Sequence, residues 1–222
     1  NPQIIHVRIE DVANGCLLFS TVNLIVNNVP AINTPTPLVV CDDQEADGFT
    51  SIDLSIKNDE ITDGQNNLLV NYHATENDAI SGANPLPMPY VNINPNELIY
   101  VSVLNQQTGC RGITTLNIEV SDIPLIDRSN HYIDACDSDY DGFAQFNLTD
   151  IIPEVIGNLT GVSVTFHETN EDALNGVNAI GDDTDYSNIT ANEQIVYIRV
   201  ENDATGCASV TPIEIHTNML LT

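Results

Sequence analysis

The sequence has no tryptophan, two methionines and only 5 Lys and Arg among 222 residues, against 32 Asp and Glu. A formal charge of −27 disfavours nucleic-acid backbones and anionic membranes, which are held by clustered cations. Cations are the natural partners of such a surface. No apolar run approaches the roughly 18 to 20 residues of a membrane span, and the N-terminus carries no basic, apolar leader. Also missing are the GxSxG, HExxH, P-loop and dinucleotide glycine motifs. No CxxC pair or Cys/His cluster stands at zinc-ligand spacing. These absences leave no catalytic constellation, and the chain reads as non-enzymatic. An acidic chain can be disordered, but 42% hydrophobic residues set in alternating runs can bury enough surface to fold.

Repetition is what the sequence does have. CDDQEADGF at 41–49 returns as CDSDYDGF at 136–143. Three segments of one type end at Cys16, Cys110 and Cys207, spaced by 94 and 97 residues: QIIHVRIEDVANGC, ELIYVSVLNQQTGC and EQIVYIRVENDATGC. A period that long means repeated domains. The boundaries read as 1–29 for the C-terminal strands of a truncated repeat, then 30–122 and 123–222 for two complete ones.

Within the second repeat, 143–148, 162–168, 194–202 and 209–216 alternate with period two and are rich in β-branched residues, as strands are. Val196, Ile198 and Val200 fall on one face of their strand, and Ile195, Tyr197 and Arg199 on the other. The one recurring helical signal is TENDAISG at 75–82 and TNEDALNG at 169–176, with Thr as N-cap, Asp three residues on and Gly as the stop. The fold class that follows is all-β: tandem immunoglobulin-like β-sandwich repeats of about 95 residues each. Short linkers, the first rich in proline, predict an extended array.

Five cysteines leave one unpaired, and the repeat offers two periodic schemes. One joins Cys41 to Cys110 and Cys136 to Cys207; the other joins Cys16 to Cys41 and Cys110 to Cys136. The strand after Cys110 carries the chain away at roughly 3.3 Å per residue, which favours pairing within each repeat and leaves Cys16 the orphan. Closing a loop of about 70 residues stabilises by up to roughly 4 kcal/mol. Bridged cysteines place the protein in an oxidising, extracellular setting. The competing reading is five buried, reduced thiols.

Aligned on their glycines, the acidic loops present Asp43, Glu45 and Asp47, then Asp137, Asp139 and Asp141. Alternate carboxylates before a glycine match the opening of a calcium loop. The bidentate Glu that should follow is Leu54 in one repeat and Leu148 in the other, so Asp53 or Asp150 would have to help. Calcium is the expected cofactor, set against a solvated acidic turn. If the first strand of a repeat runs parallel to its last, these loops are expected at the end that holds TGC, bracing the junction with the preceding domain. His73 and His167 recur in place and read as packing or surface residues.

The combination CDxDxDGFxxFxL, FHETNEDA and a closing IYVRVxNxxTGC resembles the repeats of large Bacteroidetes surface proteins, among them gliding-motility adhesins of the SprB kind. The resemblance covers both complete repeats and the last strands of the first. It implies a filamentous adhesin secreted by the type IX system to the cell outer surface, acting as a stalk or touching surroundings during gliding. Its implied partners are extracellular surfaces or glycans, neighbouring repeats and the gliding machinery. The alternatives are a glycan- or protein-binding module, with Tyr90 in the irregular segment 82–97 as its one ring, or an accessory region of a secreted hydrolase.

Overall fold

Alternating apolar residues set the strands, and turn glycines end them. The computed structural model describes residues 2–219. A hairpin comes first: β1 (Pro2–Glu10) pairs antiparallel with β2 (Leu17–Ile25). Its turn holds Gly15 at φ 74°, and the equivalent Gly109 and Gly206 of the two TGC turns stand at the same 74°. A side chain is strained there, so the recurring glycine is a backbone requirement.

The next repeat contains β3 (Leu38–Cys41), β4 (Ser51–Ile52), β5 (Leu68–His73), β6 (Tyr90–Val91), β7 (Asn96–Asn105) and β8 (Arg111–Ser121). They form a four-stranded sheet of order β3-β8-β7-β5 and a small β4-β6 pair. The last repeat contains β9 (His131–Asp137), β10 (Gln145–Phe146), β11 (Val162–His167), β12 (Tyr186–Ser187), β13 (Glu193–Asn202) and β14 (Ala208–Met219). Its order is β11-β13-β14-β9, with a β10-β12 pair. Each repeat is thus an all-β sandwich of immunoglobulin type. In each, the first strand lies parallel to the last: Leu38 opposite Ile118 and Cys41 opposite Ser121, then His131 opposite Ile213 and Cys136 opposite Asn218.

Spatially the chain groups into two units. One comprises Asn1–Pro37, Asp53–Met88 and Leu98–Asn117; the other comprises Leu38–Ile52, Pro89–Glu97 and Ile118–Thr222. Cys41 and its loop therefore belong to the same unit as Cys207.

Val196, Ile198 and Val200 are fully buried, as their alternation predicts, while Ile195 stays half exposed. With Phe146, Leu148, Ile151, Val155, Phe166, Tyr186, Ile213 and Ile215 they make the core of the second unit. Each such side chain removed from water contributes about 1.5 to 3 kcal/mol. The recurring helices form as expected: α2 (Glu76–Ser81) and α4 (Asn170–Asn175) are capped by Thr75 and Thr169, whose side chains accept from Asp78 and Asp172, and stop at Gly82 and Gly176 with left-handed φ of 75° and 65°. Two more short helices, α1 (Asn58–Thr62) and α3 (Ile152–Ile156), follow 3-10 turns at Leu54–Lys57 and Leu148–Ile151. One of these turns shortens the strand expected at 143–148 to Gln145–Phe146. The Asn147 side chain accepts from Thr149 N–H at 3.2 Å and starts the turn, a competing local bond of the kind Asn favours.

An arginine closes each recurring helix from a different strand. Arg199 on β13 donates to the carbonyls of Ala173 and Leu174 at 3.0 and 3.2 Å. In the earlier repeat Ser102 takes that strand position and Arg111 comes from β8, donating to Ser102 Oγ at 2.9 Å. Its guanidinium lies 2.3 Å from where a Cβ on Gly82 would stand.

Candidate functional site

Each acidic loop folds around a carboxylate just after the cysteine. Asp42 Oδ2 accepts from Gly48 N–H at 2.7 Å and Oδ1 from Asp43 N–H at 2.9 Å. Asp137 Oδ2 accepts from Gly142 N–H at 2.8 Å, and Oδ1 from Tyr140 and Asp139 N–H at 2.8 and 3.2 Å. Both side chains are buried. The Gly142 bond, ahead of those from Tyr140 and Asp139, holds Asp137 below the usual carboxylate value. Asp139 is pushed the other way by its hydrogen bond to Asp137 and the charge of Asp141.

Among the described residues, the clusters that bring three carboxylates within 4.8 Å are Asp42, Asp43 and Asp47, and Asp137, Asp139 and Asp141. The second is the expected set. In the first, Asp42 takes the opening position and Glu45 lies outside the cluster, because the extra residue of this loop shifts its start by one. In both clusters the buried Asp is occupied by backbone donors, leaving two exposed carboxylates as hard oxygen donors of the type calcium takes.

A second buried side chain ties each loop down. Asn92 donates to Gly48 O at 2.7 Å and accepts from Thr50 N–H at 2.8 Å. Asn188 donates to Gly142 O at 2.9 Å and accepts from Ala144 N–H at 2.8 Å. The acidic and cysteine motifs point to neither residue, although Tyr90 to Asn92 (YVN) and Tyr186 to Asn188 (YSN) recur at one spacing and carry the signal. Tyr90 is itself buried, bonded to Glu97, so it offers no sugar platform. His73 and His167 are buried and close the loops after the helices, each bonding through Nδ1 to a carbonyl, of Ala83 and Val177, at 2.8 Å.

The cysteines pair differently from the expected scheme. Cys41 bonds Cys207, S–S 2.05 Å and Cα–Cα 5.4 Å, across 166 residues of sequence. Cys16, Cys110 and Cys136 carry free thiols. Strand direction explains the correction. Cys41 lies opposite Ser121 at the far end of β8, while Cys110 precedes Arg111 at its beginning, some ten residues or about 33 Å away. A disulfide needs Cα atoms within about 7 Å. Cys136 and Cys207 are separated in the same way, Cys136 lying opposite Asn218 on β14. For the same reason neither acidic loop shares an end with the TGC turn of its own repeat; each sits where the last strand leaves that repeat.

A family model described as "Flavobacterium inter-domain disulphide bond domain" matches residues 37–124 and 132–221, with Cys41 in the first match and Cys207 in the second. The chain belongs to this family. Its disulphide-bond domains fit a protein of Bacteroidetes surface type, and a structural disulfide belongs to secreted proteins. No curated protein matches. Among solved structures, the family member is similar to Drosophila N-cadherin EC1-4, at 12% identity and TM-score 0.26, covering 97% of this chain and 57% of that one. The third to fifth domains of Drosophila OTK match at 9% identity and TM-score 0.28, covering 91% and 69%. An endo-fucoidan hydrolase of glycoside hydrolase family 107 matches at 10% identity and TM-score 0.23, covering all of this chain and 34% of that one. The chain thus spans just over half of that cadherin and a third of that hydrolase.

Proposed function

We propose that this chain is a non-enzymatic stalk or adhesive repeat region of a large secreted bacterial cell-surface adhesin, serving gliding motility or surface attachment after type IX secretion. One observation carries this reading: the Cys41–Cys207 bond ties one matched repeat to the next. Such a bond suits a protein that works under load outside the cell, where thiols stay oxidised. The acidic surface, with 32 Asp and Glu, supports contact with cations and extracellular surfaces over nucleic acid or anionic lipid. Calcium at Asp137, Asp139 and Asp141, and at Asp42, Asp43 and Asp47, belongs to the same reading.

Antibodies raised against the chain test it. They should decorate intact cells of the producing bacterium, and the labelling should vanish in a strain that lacks type IX secretion. Labelling only after permeabilisation overturns the reading. A glycan array run with the oxidised chain separates stalk from lectin, because a stalk gives no hits.

A further inference from the structure

Strand β14 is longer than its edge partner. β13 covers one side of it from Ala208 onward, but β9 joins the other side only at Ile213. The backbone groups of residues i and i+2 on a strand point to the same edge. On the stretch before β9 begins, the Gln44 side chain takes those groups. Its Nε2 donates to Ala208 O at 3.1 Å, and its Oε1 accepts from Val210 N–H at 3.0 Å. A primary amide presents an N–H donor and a carbonyl acceptor side by side, so Gln44, using one of its two N–H groups and its oxygen, does the work of one residue of a paired strand.

Arg128 braces the amide. It donates to the Gln44 main-chain oxygen, to Gln44 Oε1 at 3.1 Å and to Ser209 Oγ at 3.3 Å. Ser209, which is buried, donates in turn to Pro124 O. All these residues lie in the same spatial unit. Gln44 stands three residues after Cys41, and Ala208 directly follows Cys207. The clamp therefore grips both flanks of the disulfide. The other acidic loop is one residue shorter and has Ser138 and Asp139 after its opening Asp, so it carries no such amide.

We propose that Gln44, held by Arg128, is the positioning residue that selects Cys207 as the partner of Cys41 from among the four other cysteines. The amide docks first, and the bond then forms by exchange with an external disulfide such as oxidised glutathione. One cysteine thiolate attacks that disulfide, forming a mixed disulfide and releasing one glutathione thiolate. The second cysteine thiolate attacks the protein sulfur and displaces the other glutathione. The two electrons and two protons lost by Cys41 and Cys207 leave on two reduced glutathione molecules.

The test is oxidative refolding of the reduced, denatured chain in a glutathione buffer, with the disulfides mapped by peptide mass. The parent chain should give mainly Cys41–Cys207. In Gln44→Leu the equilibrium constant of that bond against glutathione should fall by roughly tenfold, as expected for two lost neutral hydrogen bonds. Pairs involving Cys16, Cys110 or Cys136 should rise in its place. Arg128→Met, which alters an exposed side chain, should move the same equilibrium in the same direction by a smaller factor. It supplies the reading should Gln44→Leu fail to fold. Unchanged pairing yield and unchanged glutathione equilibrium in the variants that fold would overturn the proposal.

Discussion

Replacing Cys41 and Cys207 together by serine removes a covalent link spanning 166 residues. In the chain-entropy account, closing a loop of that length restricts the unfolded ensemble by about 5 kcal/mol. At roughly 2 to 4 °C per kcal/mol for a chain of this size, the melting midpoint should drop by on the order of 10 to 20 °C. Single-molecule pulling between the termini gives a second, independent number. With the bond intact, the enclosed segment stays shielded, since its ends are held at Cα–Cα 5.4 Å. Adding reductant should then release about 560 Å of extra contour, at roughly 3.4 Å per residue. Equal contour lengths with and without reductant would refute the connectivity itself. A full gain in contour with no change in melting would refute only the entropic argument.

Three further outcomes are expected. Asn188→Ala should cost about 2 to 4 kcal/mol by chemical denaturation, because Gly142 O and Ala144 N–H each lose their partner in a buried position; a loss under 1 kcal/mol refutes the clamp. Asp78, Asp137 and Asp172 all sit below the ordinary value of 3.8 through hydrogen bonds to Thr75, to Gly142 and to Thr169 first. Groups lowered in this way give stability that is present above that value and is lost as pH falls through their folded values. The melting midpoint should therefore fall as pH drops below about 4, less steeply in Asp172→Asn, and a flat profile there contradicts the assignment. Calcium should raise the midpoint over EDTA, and Asp137→Asn with Asp139→Asn and Asp141→Asn should reduce the rise, leaving the share due to Asp42, Asp43 and Asp47; superimposed curves would leave the loops as self-satisfied turns.

Much of this architecture was legible before any coordinates. Val196, Ile198 and Val200 faced the core because alternation reports which side of a strand is buried. Thr75 and Thr169 capped helices because their bonds are local. The cysteine partners were not legible, because alternation says nothing about whether neighbouring strands run parallel or antiparallel, and the direction of β3 along β8 decides which end Cys41 reaches. Asp42 is hidden in the sequence for a related reason. An alignment on the glycines puts the extra residue ahead of the first carboxylate, whereas the fold keeps the aspartate beside the cysteine fixed and absorbs the extra residue later. Asn92 and Asn188 act through partners more than 40 residues away, so the recurrence of YVN and YSN marks the two residues without showing what they hold.

The closed covalent ring between Cys41 and Cys207 changes what a peptidase can achieve. The exposed turns at Asp63 to Asn67 and at Gly157 to Gly161 are natural cleavage points on a secreted chain. A single cut at either one opens the ring without parting the protein, since both halves remain joined through sulfur. Severing it takes two cuts that release the piece between them, one cut outside the ring, or one cut followed by a reductant. A protein built this way can be nicked in a hostile medium and still hold its place.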